Sequence, residues 1–123
     1  MKVLLSIKPE FAEKILNGTK KFEFRKGIFK NNNITTVVIY ATMPVGKVVG
    51  QFSIDGILKN DPEALWVKTK KYAGISKNFF DSYYSGRETA YAIKVGEVER
   101  FEVPLPLSSL GDGIKAPQSF LYL

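Results

Sequence analysis

The pattern of hydrophobic and polar residues along this chain changes period several times, and each change predicts a new element. Residues 2 to 8, KVLLSIK, form a short apolar run that predicts a buried strand. Apolar side chains in residues 11 to 16 recur at helical spacing, so a short helix is expected to begin at Pro9 and to end at Gly18. From Lys20 to Arg25 apolar and polar residues alternate, which predicts a strand with one buried and one polar face.

The middle and the end of the chain carry further strand and helix patterns. Residues 35 to 42, TTVVIYAT, are the strongest strand signal and predict a central strand that is buried on both faces. The strand that follows contains two glycines, which predict bulges or bends. Two helices are expected next, one after Asp61 as N-cap and one from Ser76. Residues 89 to 103 then predict either a hairpin or one long bent strand, and prolines make the tail irregular.

Taken together, these elements predict a mixed α+β fold. About five or six strands are expected to curl into a small β-barrel, with a helix after the first strand and a helical excursion in the middle. The chain has 123 residues, of which 45% are hydrophobic, and this is enough to bury one core. Residues 1–123 are therefore expected to form a single domain.

The composition removes several kinds of chemistry. The chain has no cysteine and no histidine, which excludes disulfides, Cys/His zinc sites, cysteine nucleophiles and serine–histidine–aspartate triads. Any reaction has to use lysine, carboxylates, tyrosine or hydroxyl groups, and no cofactor or metal is expected. The N-terminal residues do not have the pattern of a secretory signal, and no apolar stretch approaches the roughly 18 to 20 residues that span a bilayer. A cytoplasmic location is therefore expected.

Positive charge is concentrated at the beginning of the chain. The net charge is +6, and residues 2 to 30 hold eight basic and three acidic residues, a local charge of +5. No acidic residue occurs between Phe24 and Ile54. A lysine-rich surface that keeps the protein in solution would explain the net charge alone. The concentration of positive charge in one segment favours an anionic partner, with RNA as the leading candidate.

The run Gly18-x-Lys20-x-x-Glu23-x-Arg25, which follows a strand and a short helix, resembles the signature of the ASCH domain in the PUA-like superfamily. The resemblance extends over nearly the whole chain, including IYATMPVGKVVGQF, the helix with Trp66, AYAIKV and the terminal APQSFLYL. It implies a PUA-like barrel with a cleft beside the first helix and the second strand. In the family this cleft is associated with RNA binding, and some members are associated with coactivator-type or translational regulation.

The same resemblance implies an alternative, because some ASCH relatives are enzymes. Small bacterial members hydrolyse N4-acetylcytidine with a lysine, a threonine and a glutamate, and others are assigned ribonuclease activity. The family's lysine matches Lys20, but Glu23 occupies the position of the threonine, and the catalytic glutamate has no clear counterpart. Binding is therefore favoured over catalysis. If the protein is an enzyme, a hydrolase of the amidohydrolase or ribonuclease type is expected, with Lys20 and Glu23 in its site.

The candidate ligand contacts come from separate parts of the chain. Lys20 and Arg25 are expected to contact phosphate or base, with Glu23 orienting one of them, although a plain surface ion pair between Glu23 and Arg25 is the alternative. The aromatic residues of the second strand and of the helix after residue 76 are expected in the core rather than against bases. Further candidates for the cleft are Ser6, Lys8, Lys21, Tyr40 and Gln118. A role as a protein-interaction module has no specific support in the sequence.

Overall fold

A six-stranded sheet organises the fold in the computed structural model, which describes residues 1–123. The strands are β1 (Lys2–Ile7), β2 (Phe22–Arg25), β3 (Thr36–Ala41), β4 (Lys47–Asn60), β5 (Ala90–Leu105) and β6 (Leu121–Tyr122). The α-helices are α1 (Pro9–Leu16), α2 (Pro62–Thr69) and α3 (Lys77–Tyr83), and short 3-10 helices cover Lys70–Tyr72 and Leu107–Leu110. No helix has the length and the apolar composition needed to cross a membrane.

The strands lie in the order β2-β5-β4-β3-β1-β6. The pair β1 and β3 is parallel, while every other neighbouring pair is antiparallel. The sheet curls into a half-barrel, so the prediction of a mixed α+β fold with a barrel-like sheet is confirmed. Strand β3 lies inside this sheet, and Val37 and Val38, which point to opposite faces, are both buried. This confirms the prediction of a central strand buried on both faces.

Local signals set the helix ends. Pro9 occupies the first turn of α1, and Gly18 has a φ of +86°, a left-handed conformation that glycine adopts without strain. The side chain of Asp61 accepts a hydrogen bond from the backbone N–H of Ala64 at the start of α2. Ser76 caps α3 in the same way. The predicted helix starts at Asp61 and Ser76 are therefore confirmed, because each cap satisfies an N–H that the helix itself leaves unpaired.

Strands β4 and β5 form a long bent ribbon of 14 and 16 residues. Their pairing shifts register three times, and two of the shifts involve Gly50 and Gly56, as the glycines predicted. A Cβ at Gly50 would lie 2.5 Å from the carbonyl oxygen of Glu99, so only glycine lets the two backbones approach this closely. Of the two alternatives for residues 89 to 103, the long bent strand is observed.

The hydrophobic core has three parts, which lie on different regions of the sheet. The largest packs under α1 and includes Val3, Leu5, Ile15, Val37, Ile39, Phe52 and Ile93. A second packs α2 and α3 onto β2 and β5 and includes Phe22, Phe24, Leu65, Phe80, Tyr84 and Ala92. The smallest is built from Leu4, Val38, Tyr40 and Val48, and residues between 101 and 121 cover it. The expectation that Phe22, Phe24, Phe80 and Tyr84 belong to the core is confirmed.

The second strand has the predicted apolar and polar faces, but its polar face is covered rather than open to solvent. Glu23 is only 6% exposed, and the Arg25 side chain is 15% exposed. The reason is that the chain returns over this face near its C terminus, where the guanidinium of Arg25 donates a hydrogen bond to the carbonyl of Ser119. An alternating pattern identifies the two faces of a strand, but it does not show what covers the more polar one.

The hydroxyl of Tyr84 joins α3 to two strands, and its removal gives a first prediction. This hydroxyl lies 2.9 Å from the carbonyl oxygen of Tyr91 and 3.2 Å from that of Arg25. Tyr84→Phe should lower the unfolding free energy by about 1 kcal/mol, because buried carbonyls lose their donor. Urea denaturation measures the change, with Tyr72→Phe as control, since the Tyr72 side chain is exposed and its hydroxyl makes no hydrogen bond. Equal effects in the two variants would contradict the prediction.

Candidate functional site

A cavity of about 280 Å³ opens between α1, β2, α3 and the C-terminal segment. The end of β1 and the first turn of α1 form one side, and the chain from residue 20 to 25 forms the floor. The lining residues are Ser6, Ile7, Lys8, Phe11, Lys20, Glu23, Phe24, Arg25, Ile75, Phe79, Tyr83 and Gln118. Charged groups and aromatic rings therefore share a space that is large enough for one planar ring system.

Lys20 is the most deeply buried charged residue of the cavity, with 1% of its surface exposed. Its Nζ donates a hydrogen bond to the carbonyl oxygen of Ala73 at 2.7 Å. The same Nζ lies 4.7 Å from the ring centroid of Phe24 and 5.3 Å from that of Phe11, both cation–π distances. Burial lowers the pKa of Lys20 to about 8, and the negative charge of Glu23 partly opposes this shift. Close to neutral pH, Lys20 can therefore exist as either an ammonium or a free amine.

Gly74 makes the buried position of Lys20 possible. Its φ is +69°, and a Cβ placed on it would lie 2.5 Å from Cβ and 2.6 Å from Cγ of Lys20. The carbonyl of Gly74 also accepts a hydrogen bond from Nζ of Lys14 at 3.1 Å, which holds the segment against α1. The aliphatic stem of Lys20 therefore packs directly onto a backbone that has no side chain at this point.

Glu23 places a carboxylate in the floor of the cavity. Its Oε2 accepts a hydrogen bond from Nη1 of Arg25 at 3.3 Å. Its Oε1 accepts none from the protein and is not sealed off from the cavity. Burial raises the pKa of this carboxyl, and the positive charges of Arg25 and Lys20 act in the opposite direction. Glu23 thus offers one open acceptor oxygen beside two cations.

The C-terminal segment forms a wall of the cavity, and two hydrogen bonds to cavity residues hold it there. The hydroxyl of Ser6 donates a hydrogen bond to the carbonyl oxygen of Pro117 at 2.8 Å, and Arg25 donates one to the carbonyl of Ser119. Gln118, which lies between these points, lines the cavity. Ser6 and Gln118, which are far apart in sequence, therefore meet at one site.

Aromatic rings and two lysines form the mouth. Phe79 contacts Phe11 edge to face with 5.2 Å between ring centroids, and it lies nearly parallel to Tyr83 at 6.4 Å. Nζ of Lys8 lies 5.2 Å from the Phe79 ring, and Nζ of Lys26 lies 4.8 Å from the Tyr83 ring. Burial raises the pKa of Tyr83, whose hydroxyl donates to the carbonyl of Phe24. Stacking surfaces and positive charge therefore meet at the entrance.

Comparison with known proteins shows which family has this sequence and this fold. Residues 5–101 match the family model of the ASCH domain. The chain belongs to the ASCH domain family. A protein of Zymomonas mobilis named ASCH domain-containing ribonuclease is 31% identical over 98% of this chain and 82% of its own length. The crystal structure of ASCH from Zymomonas mobilis superposes with a TM-score of 0.92 at 30% identity, covering 99% of this chain and 87% of that one.

Another relative is a longer protein. The large ribosomal subunit protein uL22 of Ureaplasma parvum serovar 3 is 28% identical over 98% of this chain, and the chain spans 39% of the length of that protein. The resemblance to the ASCH domain and the PUA-like fold that the sequence predicted are confirmed by the family match and by the superposition.

Three residues of the ASCH signature, Lys20, Glu23 and Arg25, line the cavity. Of the residues that the sequence put forward as candidates, the structure brings six together: Ser6, Lys8, Lys20, Glu23, Arg25 and Gln118. Two others do not reach the cavity. Lys21 lies with its Nζ 4.5 Å from the ring centroid of Tyr72, because it points away from Lys20. Tyr40 is 7% exposed and fills the small apolar cluster with Leu4, rather than opening from the end of its strand into a pocket.

Sequence reasoning missed six of the residues that line this ASCH cavity: Ile7, Phe11, Phe24, Ile75, Phe79 and Tyr83. It also missed Lys26, whose Nζ lies over the Tyr83 ring. The assignment of all α3 aromatics to the core holds for Phe80 and Tyr84, but Phe79 and Tyr83 line the cavity. The available signal was that α3 carries two i,i+4 aromatic pairs on adjacent faces. A helix of seven residues buries one face fully, so the second pair is left to another surface.

No group of three or more carboxylates lies close enough together to hold a metal ion. The cavity contains the buried cation of Lys20, the partly buried cation of Arg25, one open carboxylate oxygen and several aromatic rings. This combination suits a ligand that is planar, polar and joined to negative charge.

Proposed function

We propose that this protein binds RNA through the cavity, as a module that recognises rather than degrades its ligand. The observation that carries the proposal is the buried Lys20 ammonium at the cavity floor, which contacts the rings of Phe11 and Phe24. Burial alone disfavours such a poorly solvated cation, and cations of this kind are concentrated at functional sites. A cytoplasmic location and a regulatory role belong to the same proposal.

The positions of the charged groups fit an RNA strand that enters with one base first. Lys8 and Lys26 flank the mouth, where they can meet phosphate oxygens, while Phe79 and Tyr83 offer faces on which a base stacks. Arg25 and Lys20 lie deeper and carry the remaining positive charge. The name of the Zymomonas mobilis relative, a ribonuclease, also supports RNA as the class of ligand.

Salt dependence and a double variant test this proposal. A fluorescently labelled single-stranded RNA should lose about tenfold in affinity when salt rises from about 50 mM to about 200 mM, because a few phosphate contacts release counterions. Lys20→Ala combined with Arg25→Ala should weaken binding by about tenfold or more at low salt. Fluorescence anisotropy measures both.

The matched control is Lys47→Ala combined with Lys68→Ala, which removes the same charge from exposed positions away from the cavity. This control should bind within about twofold of the wild-type protein. Binding that does not respond to salt, or that survives the loss of Lys20 and Arg25, would show that the cavity does not bind RNA.

A hydrolase is the second candidate, and the pKa of Lys20 favours it. With a pKa of about 8, this lysine can accept a proton near neutral pH, while the raised pKa of Glu23 suits a proton donor. Incubation with single-stranded RNA and, separately, with N4-acetylcytidine would reveal cleavage or deacetylation by chromatography. Turnover by the wild-type protein that is absent in Lys20→Ala would support hydrolase activity at this site. Equal turnover in the two proteins would exclude it.

A further inference from the structure

The open oxygen of Glu23 and the ammonium of Lys20 form a donor–acceptor pair in the floor of the cavity. We propose that this pair reads the lactam edge of a single nucleobase, the ring N–H beside a carbonyl that uracil and guanine carry and that adenine and cytosine lack. The proposal rests on the RNA binding proposed above and adds the kind of base that the cavity accepts.

The Glu23 carboxylate supplies the acceptor. Glu23 is 6% exposed, and its Oε2 accepts a hydrogen bond from Arg25. Oε1 has no protein donor although it faces the cavity. This oxygen is open to solvent in the cavity, so a base that displaces the solvent has to supply a donor of its own, and a ring N–H directed at Oε1 does so. An N–H that lies in the plane of a ring can reach the floor while the ring itself stays between the cavity walls.

Lys20 supplies the donor. One of its three N–H groups is held by the carbonyl of Ala73 at 2.7 Å, and its remaining neighbours are ring faces rather than acceptors of the protein. No ion pair within 4.0 Å joins Lys20 to Glu23, so the two groups do not satisfy each other. A carbonyl oxygen next to the ring N–H can accept from Lys20 while the N–H donates to Glu23.

The cavity has room for one planar ring system between its walls. The cavity volume is about 280 Å³, and ring faces or edges of Phe11, Phe24, Phe79 and Tyr83 border it. Aromatic walls hold bases of any kind by stacking, so they do not select among bases. Discrimination among bases therefore depends on the polar groups of the cavity floor, Glu23 and Lys20. A base without the ring N–H would leave Oε1 of Glu23 unpaired, and a base without the adjacent carbonyl would leave Lys20 unpaired.

Four single-stranded RNA nonamers that differ only in the central base test the inference. The flanking bases are adenine and cytosine, so a lactam edge occurs only at the centre. Nonamers with central uracil or guanine should bind about fivefold or more tightly than those with adenine or cytosine. A fifth nonamer with N3-methyluracil at the centre, which has no ring N–H, should bind like the adenine nonamer. This comparison uses the wild-type protein alone and does not depend on how a variant folds.

Glu23→Gln provides the test on the side of the protein. Its carboxamide can turn either its oxygen or its nitrogen to the ligand, so the preference for uracil and guanine should fall below about twofold. Glu102→Gln is the matched control, because Glu102 is exposed on β5 and makes no hydrogen bond through its side chain. This control should keep the preference unchanged.

The outcomes separate the two proposals. Equal, salt-dependent binding of all nonamers would overturn the lactam inference and leave RNA binding standing. If the N3-methyluracil nonamer binds as tightly as the uracil nonamer, the inference is wrong. It is also wrong if Glu23→Gln keeps the preference for uracil and guanine. If no nonamer binds more tightly to the wild-type protein than to the variant without Lys20 and Arg25, RNA binding at the cavity is wrong and the lactam inference falls with it.

Discussion

Between about pH 7 and about pH 10, the unfolding free energy of the wild-type protein should rise by about 2 to 3 kcal/mol relative to that of a Lys20→Met variant. Burial lowers the pKa of Lys20 from its ordinary value of 10.5 to about 8. Above about pH 8 the folded protein releases this proton, whereas the unfolded chain keeps it until about pH 10.5. The unfolded state therefore binds more protons in this range, and stability rises with pH.

Urea denaturation of both proteins at the two pH values gives this difference, and the other titrating groups cancel to first order. Lys68→Met is the control, because Lys68 is exposed on α2. Its difference from the wild-type protein should stay constant with pH. A constant difference for Lys20→Met as well would mean that Lys20 titrates like a solvated lysine, contrary to its position in the structure.

Replacement of Gly74 by alanine is expected to displace Lys20 and to disrupt the cavity, although Gly74 is not one of the residues that line it. The new Cβ would lie 2.5 Å from Cβ of Lys20, and the φ of +69° disfavours any L side chain. The two effects should lower the unfolding free energy by about 2 to 4 kcal/mol. RNA affinity should fall as far as it does in Lys20→Ala.

Gly86→Ala is the matched control for this variant. Gly86 has a similar φ of +77°, but a Cβ there would meet nothing within 4 Å. The unfolding free energy of Gly86→Ala should therefore fall only by the cost of placing an L residue at a positive φ, about 1 to 2 kcal/mol. Its RNA affinity should stay unchanged. Denaturation and anisotropy measurements on the two variants separate backbone strain from the displacement of Lys20. Similar losses in both variants would contradict a specific contact between Gly74 and Lys20.

Both experiments address one feature, a lysine that the fold buries at a cost in stability. Its ammonium has a single hydrogen bond and two ring faces, which is less than water would provide. Such a group weakens the folded state near neutral pH, and under the proposed function it is available to pair with a ligand. The binding energy of the ligand can then offset the cost that the free protein carries.

The amino-acid sequence was sufficient for features that depend on neighbours a few residues apart. The caps at Asp61 and Ser76, the left-handed turn at Gly18 and the buried strand β3 follow from local hydrogen bonds, backbone sterics and alternation. The signature from Gly18 to Arg25 also identified the ASCH family and the centre of the cavity. These predictions needed no knowledge of which strands are neighbours.

The rest of the site depends on contacts between distant parts of the chain. Lys20 meets Ala73, Arg25 meets Ser119, and Ser6 meets Pro117, over separations of 53, 94 and 111 residues. No local pattern encodes such pairs, because they follow from the strand order and from the path of the C-terminal segment across β2. The tertiary structure therefore decided that Glu23 is buried and that Tyr83 lines the cavity, since both depend on what the completed sheet brings against them.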